Sequence, residues 1–136
     1  MPHKNLSSKD VLILAGGEGK RLRSVIADRP KVLAEVAGKP FLHIIIDKLV
    51  SWGFRRIILS VRYHKEQIVR SINEEEGYKN IKIEFSEEKT LLGTGGALKK
   101  AASLIKSDHF LMLNGDSICP VDFEKFLTFH EDKKAF

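Results

Sequence analysis

Val11-Leu-Ile-Leu-Ala15, followed at once by Gly16-Gly17, is the stretch on which the fold turns. Five successive apolar residues are too few for a helix and do not alternate. They predict a strand buried on both faces, the form a strand takes inside a parallel sheet. Working outward, Phe41 to Trp52 carries apolar residues at 41, 42, 45, 46, 49 and 52, a helical spacing that stops at Gly53. Ile57-Ile-Leu-Ser-Val61 is a second buried strand, and His64 to Glu75 a helix with Ile68, Val69 and Ile72 inward. Ile81-Lys-Ile-Glu-Phe85 alternates with period two, as a half-exposed or edge strand does. A helix is expected from Gly95 to Ile105, and Phe110-Leu-Met-Leu113 reads as a further buried strand. Asp122 is placed to cap a last helix with Phe123, Phe126 and Leu127 on one face. Strands alternating with helices predict an α/β, Rossmann-like fold: a mostly parallel sheet, right-handed crossovers, helices on both faces.

A chain of 136 residues has room for one domain with one core. With 43% apolar and 30% charged residues it has the composition of a globular protein. There is no run of about 18 apolar residues, so no membrane-spanning helix is expected. The polar start, MPHKNLSSKD, lacks the apolar stretch of a secretory signal, and the single Cys119 fits a reducing compartment, so a cytoplasmic location is expected. The net charge of +5 is unevenly spread: residues 1–65 hold 13 Lys/Arg against 5 Asp/Glu, and residues 66–136 hold 10 against 13. Lys20, Arg21, Arg23, Arg29 and Lys31 concentrate the excess beside glycines, which points to a small polyphosphate ligand. Nucleic acid is the rival, but these residues form no basic helix face and no aromatic stacking platform stands among them.

In a parallel sheet, ligands sit beyond the carboxyl ends of the strands. Three such ends carry unusual chemistry: Gly16-Gly17, Glu87-Glu88 and Asn114-Gly115-Asp116. Glycines at 16, 17 and 19 are expected to permit positive φ and to bring backbone N–H groups against an anion. Arg21 offers a planar fork for two phosphate oxygens, and Lys31, set by Pro30, a compact charge. A Walker loop would need Ser or Thr where Arg21 stands. The dinucleotide fingerprint would need a further glycine three places after Gly19 and an acid after the second strand, where the chain has Ser60-Val61-Arg62. Asp116, at the end of a strand, reads as a turn residue or as a carboxylate for Mg²⁺, which takes one or two protein oxygens plus phosphates. Glu87 and Glu88 could be solvated loop charges, and the five histidines show no metal-ligand spacing.

Leu14-Ala-Gly-Gly-Glu-Gly-Lys-Arg-Leu22, then Pro30-Lys31, resembles the first motif of the sugar-1-phosphate nucleotidylyltransferases. Glu88-Lys-Thr-Leu-Leu-Gly-Thr-Gly-Gly-Ala97 and Leu113-Asn-Gly-Asp116 resemble the next two, in the family's order. Leu91 stands where that family commonly has proline, and Lys20 where it commonly has threonine. Leu22-Arg-Ser-Val25, Gly38-Lys-Pro-Phe-Leu42 and Trp52 to Ser60 bring the likeness nearest to the D-glycero-D-manno-heptose 1-phosphate guanylyltransferases, with mannose-1-phosphate guanylyltransferases next.

The resemblance implies a nucleotidyltransferase moving GMP from GTP to a sugar 1-phosphate, a heptose 1-phosphate in the nearest case, and releasing pyrophosphate. It places the triphosphate over Gly16, Gly17 and Gly19, Arg21 and Lys31 at the reacting phosphates, Glu88 and Gly93 at the base, and Mg²⁺ on Asp116. A carboxylate at 88 can accept from guanine N1–H and its exocyclic amine. The family's sugar-binding segments and a second metal ligand lie beyond the position matching Phe136. Residues 1–136 are therefore expected to be the nucleotide-binding part of an incomplete, truncated domain, binding nucleotide weakly and turning over little. An unfinished sheet would expose an edge strand and favour self-association. A non-catalytic nucleotide-binding or regulatory module of the same fold is the alternative.

Overall fold

The computed structural model describes residues 5–17 and 28–135. Gly19 and Arg21 of the glycine-rich loop lie outside the described residues. In chain order the elements are β1 (Asp10–Leu14), the two-residue strands β2 (Glu35–Val36) and β3 (Lys39–Pro40), α1 (Phe41–Trp52), β4 (Arg56–Val61), α2 (Lys65–Asn73), β5 (Lys82–Glu87), α3 (Gly93–Ala101), β6 (Phe110–Asn114) and α4 (Phe123–Asp132). The main sheet runs β5-β4-β1-β6, and all three pairings are parallel. β2 and β3 form a separate antiparallel ribbon leading into α1.

Strand alternation sorts the helices onto the two faces. Val11, Ile13, Ile57, Leu59 and Val61 point to one side and pack with Leu42, Ile45, Ile46 and Leu49 of α1, Ile68 and Ile72 of α2, and Phe123 of α4. Leu12 and Ile58 point to the other side and meet Ala101 and Leu98 of α3. The helices thus lie on both faces of the sheet, as the alternation of elements predicts. α1 ends where the spacing requires: Gly53 takes φ 106°, and its N–H reaches the carbonyls of Leu49 and Val50. Asp122 caps α4, its Oδ1 accepting from Lys125 N at 3.0 Å.

Three readings need correction. Phe110–Asn114 is not a buried strand but a half-exposed one at the end of the sheet, because among the described residues it pairs only with β1. Phe126 does not share the inward face of Phe123 and is 54% exposed, since nothing among the described residues covers that side of α4. β5 is the opposite edge, as its alternation suggests, and it carries Lys82, Glu84 and Glu87 where β6 carries only Phe, Leu, Met and Asn. α3 starts at Gly93 rather than Gly95 and passes into a 3-10 turn at Ala102–Leu104.

The sheet brings its chemistry to one end through close backbone packing. Gly115 N–H donates to the Leu14 carbonyl at 2.9 Å, extending the β1–β6 ladder past Asn114. A Cβ at 115 would stand 2.8 Å from that carbonyl oxygen and 3.0 Å from Val32 Cγ1. Gly115→Ala should therefore push the end of β6 off β1 and cost about 2 kcal/mol, read as a lowered denaturant midpoint.

Candidate functional site

A cleft of about 320 Å³ opens at the carboxyl ends of β1 and β6, on the side of the sheet that carries α3. Its lining includes Gly16, Gly17, Glu88, Gly93, Asn114 and Asp116. The three strand ends singled out from the sequence therefore meet in one place. A second groove, of about 270 Å³ between β6 and α4, is lined mainly by aromatic and aliphatic residues and contains none of the candidate residues.

The glycines act differently from expectation. Neither Gly16 nor Gly17 has a positive φ, so left-handed backbone is not what position 16 requires. Space is: a Cβ on Gly16 would lie 3.1 Å from Glu88 Oε1. Gly17 is exposed and open. Gly93 does take φ 72°, turning the chain into the first residue of α3. That turn aims the start of α3 at the cleft, where Gly93 and Thr94 are part of the wall. The free N–H groups and positive dipole end of a helix favour an electron-rich ligand there.

Glu88 is not a solvated loop charge. It is only 6% exposed, its N–H donates to the Val61 carbonyl at 2.9 Å, and its carboxylate is gripped by two donors. Ser60 Oγ donates to Oε1 at 2.6 Å, and Leu92 N–H donates to Oε2 at 3.2 Å. Its neighbour Glu87 is the exposed one and pairs with Lys65 at 2.5 Å. In sequence Ser60 stands out only as the position where a dinucleotide fold would carry an acid. The available signal was a lone hydroxyl in the apolar run Ile57–Val61, since a buried hydroxyl needs a partner.

Lys31 follows Pro30, whose φ of −66° sets the start of the 3-10 turn Lys31–Leu33. Its Nζ stands 3.0 Å from Asp116 Oδ2, across 85 residues of sequence, and Ser117 Oγ donates to Oδ1 at 3.1 Å. The Lys31 ammonium holds the Asp116 carboxyl below the ordinary aspartate range, with Ser117 adding to the effect against partial desolvation. A lowered folded-state pKa contributes stability above the unfolded value and loses it as pH falls through the lowered one. Lys31→Met should return the Asp116 carboxyl towards its ordinary range, measured by NMR titration, and should flatten the loss of stability below about pH 4.

Asp116 also fits the needs of a divalent cation. Its carboxylate is 41% exposed at the cleft, and the facing ammonium shows that the strand end accepts a positive charge. No cluster of three or more His, Cys, Asp or Glu able to hold a metal occurs among the described residues.

With this geometry in place, residues 10–136 match the family described as nucleotidyl transferase. The chain belongs to that family. It is 40% identical over 126 residues to a D-glycero-alpha-D-manno-heptose 1-phosphate guanylyltransferase from Aneurinibacillus thermoaerophilus, covering 93% of this chain and 54% of the relative. A mannose-1-phosphate guanylyltransferase catalytic subunit beta from Danio rerio is 41% identical over 122 residues, 88% of this chain and 34% of that protein. The crystal structure of HddC from Yersinia pseudotuberculosis complexed with GMP-PN superposes with a TM-score of 0.82 at 42% identity, over 91% of this chain and 55% of that one. The chain thus spans about half the length of the heptose relative and of HddC, and about a third of the mannose one. No helix of the described residues is long and apolar enough to cross a membrane.

Proposed function

We propose that residues 1–136 are the nucleotide-binding part of a sugar-1-phosphate nucleotidylyltransferase that transfers GMP from GTP to a heptose 1-phosphate. The observation that carries this reading is the shared cleft: Gly16, Gly17, Glu88, Gly93 and Asp116 border one cavity, and Lys31 reaches it through Asp116. The base lies against Glu88 and Gly93, and the triphosphate against Gly16, Gly17 and Lys31; the motif likeness assigns Gly19 and Arg21, outside the described residues, to the phosphates as well. A phosphate oxygen of the sugar 1-phosphate forms a bond to the α-phosphorus, while the bond to the β-phosphate breaks and pyrophosphate leaves. The protein's part is to hold two anions together and offset charge on the reacting phosphates, with no covalent bond to a side chain. Asp116, with Asn114 beside it, would hold Mg²⁺, which supplies charge neutralisation at the phosphates when bound.

Calorimetric titration with GTP, ATP, UTP and CTP in the presence of Mg²⁺ tests the nucleotide half of this proposal. GTP should bind most tightly and the others at least tenfold more weakly, roughly one base-edge interaction. Equal affinities for all four would refute the guanine reading, and no binding would refute the nucleotide site. Pyrophosphate release on adding heptose 1-phosphate or mannose 1-phosphate to a longer form that carries the sugar-binding segments then reads which sugar is accepted.

A further inference from the structure

We infer that Ser60 is a specificity-determining positioning residue, holding Glu88 so that it presents two acceptors side by side to the base, and that Gly16 leaves the room this requires. The inference rests on the reading of Glu88 as the group facing the base edge and goes one step beyond it. Ser60 is fully buried in β4, on the face of the sheet that carries α3. A carboxylate offers about four lone-pair sites. Among the described residues, Ser60 Oγ occupies one on Oε1 and Leu92 N–H one on Oε2, which leaves one on each oxygen for the base. Two adjacent acceptors match a base edge with two adjacent donors, N1–H and the exocyclic amine of guanine. Adenine and uracil alternate donor and acceptor along that edge, and cytosine sets one donor beside two acceptors, so none of them can satisfy both oxygens.

Without the Ser60 hydroxyl, Glu88 keeps Leu92 N–H and its own backbone anchor at Val61, but Oε1 is free to turn. Gly16 borders the same oxygen, its missing side chain being what admits the carboxylate so close to β1. Glycine at 16 therefore acts on the base end of the site as well as on the phosphates. Discrimination between bases, rather than affinity for the phosphate tail, is what Ser60 controls.

The test is calorimetric, with GTP, ATP and inorganic triphosphate, each with Mg²⁺, on the unaltered chain and on Ser60→Ala, Ser60→Thr, Ser60→Cys and Glu88→Gln. Ser60→Ala should weaken GTP about tenfold, the loss expected for one hydrogen bond to a charged group, while ATP and triphosphate stay within about twofold. Ser60→Thr, which keeps the hydroxyl, should restore the GTP-to-ATP ratio, and Ser60→Cys, of similar size with a weak donor, should lower it. A purely structural role would lower all three ligands together, and that result would overturn the inference. If Glu88→Gln collapses the ratio and Ser60→Ala does not, the role of Ser60 fails while the reading of Glu88 stands. If Glu88→Gln leaves the ratio intact, the reading of Glu88 fails with it. Should Ser60→Ala not fold, the contrast between the Thr and Cys variants decides the same question.

Discussion

Asp10→Ala should lose about 3 kcal/mol of stability and lower the melting temperature by roughly 10 °C, while leaving the preference among nucleotides unchanged. Asp10 opens β1 and is 1% exposed, yet it bears a carboxyl group. Its Oδ2 accepts from Lys106 N at 2.6 Å and Ser107 N at 2.9 Å, and Arg56 Nε lies 3.1 Å from Oδ1. Ser107 Oγ returns the favour by accepting from Asp10 N at 2.9 Å. One carboxylate thereby joins the first strand, its neighbour β4, and the turn that leads into β6. Truncation to alanine leaves two backbone N–H groups and a guanidinium without their acceptor, and such orphaned partners set the size of the loss. Asp10→Asn keeps an oxygen for the turn and should cost about half as much. Asp10 stands at the amino end of the strand whose carboxyl end reaches the cleft, so its effect should fall on folding alone. Thermal denaturation together with the GTP-to-ATP affinity ratio checks both parts.

Glu88→Ala should cost affinity as well as stability. The buried Ser60 hydroxyl and the Leu92 N–H at the start of α3 lose their acceptor, worth about 2 kcal/mol of folding free energy. GTP affinity should fall about a hundredfold, the expected effect of removing two hydrogen bonds to a charged acceptor. ATP, which cannot engage both oxygens, should lose far less. A loss of the same size for ATP would mean that Glu88 serves the shape of the loop and not the base. The two acids thus separate by experiment: Asp10→Ala should act on folding alone, and Glu88→Ala, on the proposed reading, on folding and on the choice of base.

The α/β alternation, the first strand to within a residue at each end, the α1 stop at Gly53 and the Asp122 cap were all legible in the chain, because each depends on neighbours close in sequence. So was the clustering of Gly16, Glu88 and Asp116, since parallel strands carry their carboxyl ends to a common edge. The family likeness was equally readable, resting on three ordered motifs. Burial was less so. Phe110-Leu-Met-Leu113 has the composition of a central strand, and only the sheet order makes it an edge. Phe126 follows a helical stripe, but its exposure depends on what packs against α4.

What local sequence could not supply is contact between residues far apart along the chain. Lys31 meets Asp116 across 85 positions, Ser60 meets Glu88 across 28, and Asp10 meets Ser107 across 97. Such pairs come together only after strands and helices have packed, so no pattern of spacing announces them. The consequence is largest at Gly16. Its place in a glycine-rich run suggested backbone freedom for phosphate, whereas the folded chain shows a need for space beside a carboxylate seventy-two residues later. Periodicity records which face a side chain takes, and motif order records which chemistry is present. Which groups touch, and hence which residue holds which, is settled by close packing in three dimensions.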